Sequence, residues 1–284
     1  MIENYFPKKF SFVIKSALEF KNLTEIRVRI NKPLMFSFCG DKKYIDSKGE
    51  ITEKIQDEMP VVLREDIINI MALMSSSSVY AYKDEIKRGF ITLKEGHRAC
   101  ICGRCVNGGE YIKDITSINI RIARDIKRVS DKFIKNILNN SALIIAPPGC
   151  GKTTFLRDVA RNLSSLNKNV AIADERCEIA PIVSGSQVFD LGDNIDVLSD
   201  YKKDLGMLML LRTMNPDVII TDEIADLSDF KAVEQILNSG VKVVASFHGG
   251  SALEYKNRLE GMGIQRDIFP VKILLNKKFE GKLC

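Results

Sequence analysis

No tryptophan occurs among the 284 residues, and there are only two histidines. The missing Trp bears on nucleic acid: single strands are gripped by aromatic side chains set in basic grooves, and here the basic residues are dispersed. Nucleic acid is therefore not an expected partner. A net charge of +5 permits contact with an anionic surface without arguing for one. Long apolar runs are missing as well. The richest, residues 205–211, is short and runs straight into Arg212, well below the length of a membrane span. Residues 1–7 lack the apolar centre of a signal peptide, so a cytosolic protein is expected.

The seven cysteines are odd in number, which does not suit a disulfide framework, and a cytosol keeps thiols reduced. Cys100, Cys102 and Cys105 form C-x-C-x-x-C. As zinc ligands they lack an evident fourth member, His97 being the nearest candidate. As part of a strand they place Cys100 and Cys102 on one face as small buried residues. No internal repeat or low-complexity segment is present. Apolar content of 45% and charged content of 28% fit a globular protein long enough for two modest domains.

What is present is a phosphate-binding device. The apolar residues 142–145 run into Ala146-Pro-Pro-Gly-Cys-Gly-Lys-Thr-Thr, a strand feeding a glycine-rich loop that opens a helix. Loop amides, the positive end of the helix and the Lys152 ammonium together suit a nucleoside triphosphate. The expected cradle comprises Pro148, Gly149, Cys150, Gly151, Lys152, Thr153 and Thr154. Thr153 is expected to hold Mg²⁺ through its hydroxyl, and Thr154 to cap or pack the helix start. Ala146 stands where the strict pattern has its first Gly. A methyl is tolerable there if φ stays negative, and Gly149 and Gly151 cover the positions where positive φ is needed.

The second half alternates strands and helices. Strands are expected at 142–145, 170–173, 218–221, 241–246 and 271–275, and helices from the loop to about 163, at 201–214, 227–238 and 253–259. A short helix capped by Ser130 or Asp131 is expected through Leu138, and residues 179–199 read as a looser stretch. Repeated strand–helix units imply a mostly parallel sheet with covered faces, its ligands at the carboxyl ends of the strands. The first half reads as a smaller α+β domain. A hairpin is expected from strand 26–30 through Asn31-Lys32-Pro33 to 34–38, helices at 64–74 and 79–86, and strands at 90–93, 99–105 and 115–122. The boundary is expected at 128, giving domains 1–128 and 129–284.

Acids gather at the strand ends. Asp222 and Glu223 follow a buried strand; Asp222 suits Mg²⁺ through a water, and Glu223 suits activation of water. Asp174, Glu175 and Glu178, with Arg176, end the neighbouring strand, either as a second acidic arm near the metal or as a surface charge cluster. His248 follows another strand and either senses a γ-phosphate or is a plain loop residue. Arg212 either reaches phosphate or compensates a helix C-terminus. Arg27, Arg29, Arg98, Arg104, Arg121 and Arg124 are candidates to act in trans on the γ-phosphate of a neighbouring subunit, Arg27 and Arg29 presenting both guanidinium groups on one strand face.

Several segments together resemble the stage III sporulation protein AA family. They are the loop through Phe-Leu-Arg-Asp, Asp174-Glu-Arg-Cys-Glu-Ile, Pro216-Asp-Val-Ile-Ile-Thr-Asp-Glu-Ile and Ala245-Ser-Phe-His-Gly. In the first half, Glu25-Ile-Arg-Val-Arg-Ile-Asn-Lys-Pro-Leu, Gly89-Phe-Ile-Thr-Leu with Gly96-His-Arg, and Ser117-Ile-Asn-Ile-Arg-Ile-Ala-Arg-Asp-Ile match too. The likeness covers nearly the whole chain. That family is similar to the hexameric ATPases of bacterial secretion and pilus systems. The resemblance implies a C-terminal RecA-like P-loop ATPase domain, an N-terminal domain packed around a ring, and ATP hydrolysis between subunits. It also implies a role in endospore formation, in the mother-cell cytoplasm, at the base of a transenvelope channel to the forespore and docked to membrane proteins of that complex. Residues 174–178 correspond to an acidic box and His248 to a histidine box. In the secretion ATPases a Gly precedes the strand acid, where Asp222 stands here. The acid that activates water is thus Glu223 on the local argument, and Glu175 or Glu178 on the resemblance. A nucleic-acid-remodelling ATPase and a nucleotide-gated scaffold with little turnover are the competing readings.

Overall fold

The computed structural model describes residues 2–20, 22–38, 40–75, 85–86, 89–106, 111–123, 125–183, 185–276 and 281–283. The chain divides into two units, Met1–Arg124 and Asp125–Cys284.

In the first unit, strands β1 (Leu23–Arg29), β2 (Met35–Phe38), β3 (Asp41–Ile45), β4 (Ile51–Thr52), β5 (Phe90–Thr92), β6 (Arg98–Val106) and β7 (Tyr111–Arg121) form one sheet. Its order is β4-β3-β2-β1-β7-β6-β5, antiparallel throughout. Alternation decides the buried face: Ile26 and Val28 of β1 are fully buried, while Glu25, Arg27 and Arg29 lie on the other side. Helices α1 (Ser11–Glu19) and α2 (Arg64–Met74) supply Ile14, Ala17, Ile67 and Ile70 to the same core. The hairpin expected around Pro33 is the β1–β2 pair, with Ile26 opposite Phe36. The helix expected at 79–86 lies largely outside the described residues.

The cysteine reading needs correcting. The buried residues of β6 are Ala99 and Ile101; on the opposite face Cys100 is half-buried and Cys102 exposed, and Cys105 further along is exposed as well. Among the described residues no group of His, Cys, Asp or Glu is arranged to hold a metal ion, and no helix is long and apolar enough to cross a membrane.

The second unit begins with a 3-10 turn, Asp131–Phe133, and the short helix α3 (Ile134–Ile137). Strand β8 (Ala142–Ala146) leads through the loop to helix α4 (Lys152–Ser165) and then to β9 (Val170–Asp174). A small hairpin, β10 (Ile182–Val183) and β11 (Ser186–Gln187), precedes β12 (Ile195–Ser199). Helix α5 (Lys203–Thr213), β13 (Val218–Glu223), α6 (Leu227–Asn238), β14 (Lys242–His248), α7 (Ala252–Gly261), β15 (Val271–Leu275) and β16 (Gly281–Leu283) complete it. The sheet order is β12-β9-β13-β14-β8-β15-β16. Every pair is parallel except β15–β16. Strands β8 and β9 are buried at every position, which is why they read as continuous apolar runs.

Three sequence expectations change here. Residues 195–199 were expected within a loose stretch and form the parallel edge strand β12 instead. Its residues are all half-buried and include Asp196, so no apolar run announces it. Ser130 does not cap a helix by its side chain. Its hydroxyl and N–H both donate to Asp158, at 2.7 and 2.8 Å, and the Arg128 N–H donates to the same carboxylate at 2.9 Å. Arg161 adds hydrogen bonds to Asp158 (3.1 Å), Asp125 (2.5 Å) and the Asp190 carbonyl (2.9 Å). Residues 125–130 are thereby fastened to α4, within the unit Asp125–Cys284. Finally, His248 does not follow its strand but ends it, paired with Ala146.

Candidate nucleotide-binding site

The ends of β8, β13 and β14 meet at one edge of the sheet. Strand β14 lies between the other two, with Ser246 opposite Glu223 and His248 opposite Ala146. Ala146 closes β8 fully buried, and it is not among the residues of positive φ. The next three residues, Pro147, Pro148 and Gly149, are exposed, and Cys150 turns back into the protein. Gly149 and Gly151 take φ of +72° and +82°, left-handed conformations that cost a residue with Cβ and are open to Gly. The turn delivers the chain to α4, whose first amides have no partner within the helix and face the loop. Lys152, Thr153 and Thr154, half-buried, form its first turn. The Lys152 ammonium donates to the Ala146 carbonyl at 2.8 Å and the Pro147 carbonyl at 3.3 Å. Burial lowers its pKa, and the charge of Glu223, then Cys150 and Glu178, opposes that shift. Amides, a helix N-terminus and an ammonium gathered at one loop fit a polyphosphate anion.

Glu223 and His248 stand beside this loop. His248 Nδ1 is 3.9 Å from Glu223 Oε1, and both side chains remain partly open to solvent. The Gly249 N–H, following His248, donates to the Ala146 carbonyl at 3.3 Å, tying the end of β14 to the loop.

Asp222 points elsewhere. Its carboxylate is buried, with Oδ1 3.0 Å from the Lys203 ammonium. Burial pushes its pKa up to about 6, even with Lys203 opposing. One oxygen of this carboxylate is thus set against a buried ammonium, while Thr153 stands in the first turn of α4 beside the loop.

The acidic segment divides similarly. Asp174 is fully buried and accepts the N–H groups of Glu178 and Ala180, each at 2.8 Å. It shapes the turn rather than facing a ligand. Arg157 of α4 holds the same turn by donating to the carbonyls of Ile179 (2.9 Å) and Glu178 (2.8 Å), its guanidinium stacked 3.7 Å from the Phe189 ring. Glu175 is half-buried, with Oε2 3.9 Å from Lys203. The N-terminal half of α4 thus both opens from the phosphate loop and holds the acidic turn through Arg157.

Arg212 lies in the last turn of α5, which feeds the start of β13, so it sits at the sheet edge opposite the loop. Of the arginines considered for action in trans, Arg27 is bonded to Glu25 (2.9 Å), Arg104 to Asp114 (2.9 Å) and Arg121 lies 3.8 Å from Glu25. Arg98 stacks 4.4 Å over Phe90, and Arg29 donates to Met35 sulfur at 3.8 Å; Arg124 lies outside the described residues. Sequence reasoning missed Lys203 and Arg157. The cues were faint: a lysine in the first turn of a helix, where the dipole disfavours it, and an arginine on the buried face of α4.

A parallel sheet with the loop strand separated from the acid-bearing strand by one other defines a RecA-like P-loop α/β fold, here joined to a smaller α+β unit. The Legionella pneumophila ATPase DotB shares it (TM-score 0.61, 16% identity, covering 92% of this chain and 74% of that one). So does the pilus retraction motor PilT with bound ADP (TM-score 0.64, 14% identity, 92% and 76%); at such identities the likeness is one of fold. The chain belongs to the family described as sporulation stage III, protein AA, which matches residues 8–283. Stage III sporulation protein AA of Bacillus subtilis strain 168 is 36% identical to it over 247 residues, 83% of this chain and 76% of the relative.

Proposed function

We propose that the chain is an ATP-hydrolysing motor serving a secretion-like, transenvelope complex in endospore formation. The carrying observation is the loop itself: Lys152 held on the Ala146 and Pro147 carbonyls at the mouth of α4, with Glu223 and His248 at the adjoining strand ends. In this reading the amides of Gly149, Cys150 and Gly151 cradle the phosphates, with Pro148 shaping the turn, and Lys152 moves from the loop carbonyls onto phosphate oxygen. Thr153 holds Mg²⁺, and Thr154 completes the first turn. Mg²⁺, when bound, neutralises charge on the β- and γ-oxygens. Glu223 orients and deprotonates the attacking water, and His248 hydrogen-bonds the γ-phosphate. Glu175 and Glu178 are the alternative acids. Asp222 pairs with Lys203 and stays off the metal.

The same reading makes the working form a ring, six copies by the resemblance, in the mother-cell cytoplasm. It would dock on membrane proteins of a channel to the forespore. Lys152→Ala is expected to lose most ATP affinity. Glu223→Gln is expected to bind ATP and to lose about 100-fold or more in turnover, the usual scale for a general base. Undiminished hydrolysis by both purified variants would defeat the proposal. A size-resolved mass measurement with and without Mg²⁺ and ATP tests the ring; a monomer under all conditions refutes that part.

A further inference from the structure

Lys203 enters the scheme above only as the partner of Asp222, yet it is a cation placed at a cost. Its side chain is 8% exposed, and burying an ammonium is costly unless it is paired. It is also the first residue of α5, where the helix dipole opposes a positive charge. Neither local structure nor solvation favours it there. What holds it is a set of oxygens from two neighbouring strand ends. The ammonium donates to the Glu223 main-chain carbonyl, lies 3.0 Å from Asp222 Oδ1 and 3.9 Å from Glu175 Oε2.

The sheet holds this strand end through the Ile224 N–H, which donates to the Ser246 carbonyl at 2.9 Å, but it is irregular just before it. The β13–β14 register slips between Ile220 and Glu223, and a ladder is locally disrupted at such an irregularity. The Glu223 side chain projects from that segment toward His248. We infer that Lys203 is a positioning residue for the proposed hydrolysis: by gripping the Glu223 carbonyl, with Asp222 and Glu175 as counter-charges, it sets where the Glu223 carboxylate stands against a bound triphosphate. This rests on the reading of Glu223 as the group that activates water. It also gives Asp222 a purpose, since a buried carboxylate beside the ammonium keeps the charge in place.

The test uses the full-length chain as wild type, Lys203→Met, Lys203→Arg and Glu223→Gln, with ADP affinity by calorimetry, turnover at saturating Mg²⁺ and ATP, and a thermal scan for each. Methionine keeps the length of the side chain and removes the donor. Lys203→Met should leave the ADP Kd within about threefold and cut kcat about 10- to 100-fold, the scale of a misplaced catalytic group. Lys203→Arg should recover most of the loss. If Lys203→Met fails to fold because Asp222 is left unpaired, the neutral double variant Lys203→Met/Asp222→Asn replaces it and should show the same kcat loss with intact ADP binding. Wild-type kcat in the folded methionine variant, with Glu223→Gln inactive, overturns the inference. So does a folded arginine variant as slow as the methionine one, or a parallel loss of affinity and kcat. Wild-type turnover by Glu223→Gln instead defeats the reading of Glu223, and this inference falls with it.

Discussion

Replacing Asp158 by alanine tests how residues 125–130 are fastened to the helix that carries the loop lysine. Asp158 is 1% exposed and accepts from the Arg128 N–H, the Ser130 N–H, the Ser130 hydroxyl and Arg161. Alanine leaves those donors without their acceptor. Arg161 keeps Asp125 and the Asp190 carbonyl, and the Arg128 N–H is partly open to water, so neither loses much. Ser130 is fully buried, and its N–H cannot be resolvated without rearrangement. A buried donor left unpaired costs about 1–3 kcal/mol. Adding the weaker losses at the hydroxyl and at Arg128 gives about 3 kcal/mol for the substitution. In a domain of this size that is a fall in Tm of about 6–12 °C. With no tryptophan to follow, the readout is far-UV circular dichroism, with hydrogen exchange at α4 to assign the transition. Ser130→Ala/Asp158→Ala should cost clearly less than the sum of the single losses, because the two share a bond. A Tm within about 1 °C of wild type for Asp158→Ala would refute the reasoning, since no buried donor could then depend on that carboxylate.

Two further outcomes follow from the site. Gly151→Ala forces a Cβ into φ of +82°, costing about 1–2 kcal/mol; it should lower Tm and weaken ADP binding measured by calorimetry, and unaltered binding would contradict the loop geometry. Burial raises Asp222 from 3.8 to about 6. A raised acid contributes stability fully below its unfolded value and loses it as pH rises through its folded one. The Tm of wild type relative to Asp222→Asn should therefore fall between about pH 4 and pH 6, from the unfolded value to the folded one; a difference that grows over that window would mean the Lys203 pair outweighs burial.

Much of the second unit was legible because its strands are buried on both faces. Continuous apolar runs gave β8, β9, β13 and β14, and the residues between Ala146 and Thr154 named the loop with its two positive-φ glycines. Edge strand β12 was not legible: half-buried at every position, it carries no run and no clean alternation. The cysteines of β6 were misplaced because alternation sorts residues into two faces without saying which one the core covers; Ala99 and Ile101 took it. The chemistry divides the same way. Residue types and short spacing determined the glycine-rich loop that opens α4 and the acids at the strand ends, since a loop of adjacent residues makes its own geometry. Only the tertiary structure decided that Asp174 folds inward, that Asp222 meets Lys203, and that Glu223 stands by His248. Those partners come from separate strands and helices, and a carboxylate's role depends on which charge is brought to it across the sheet.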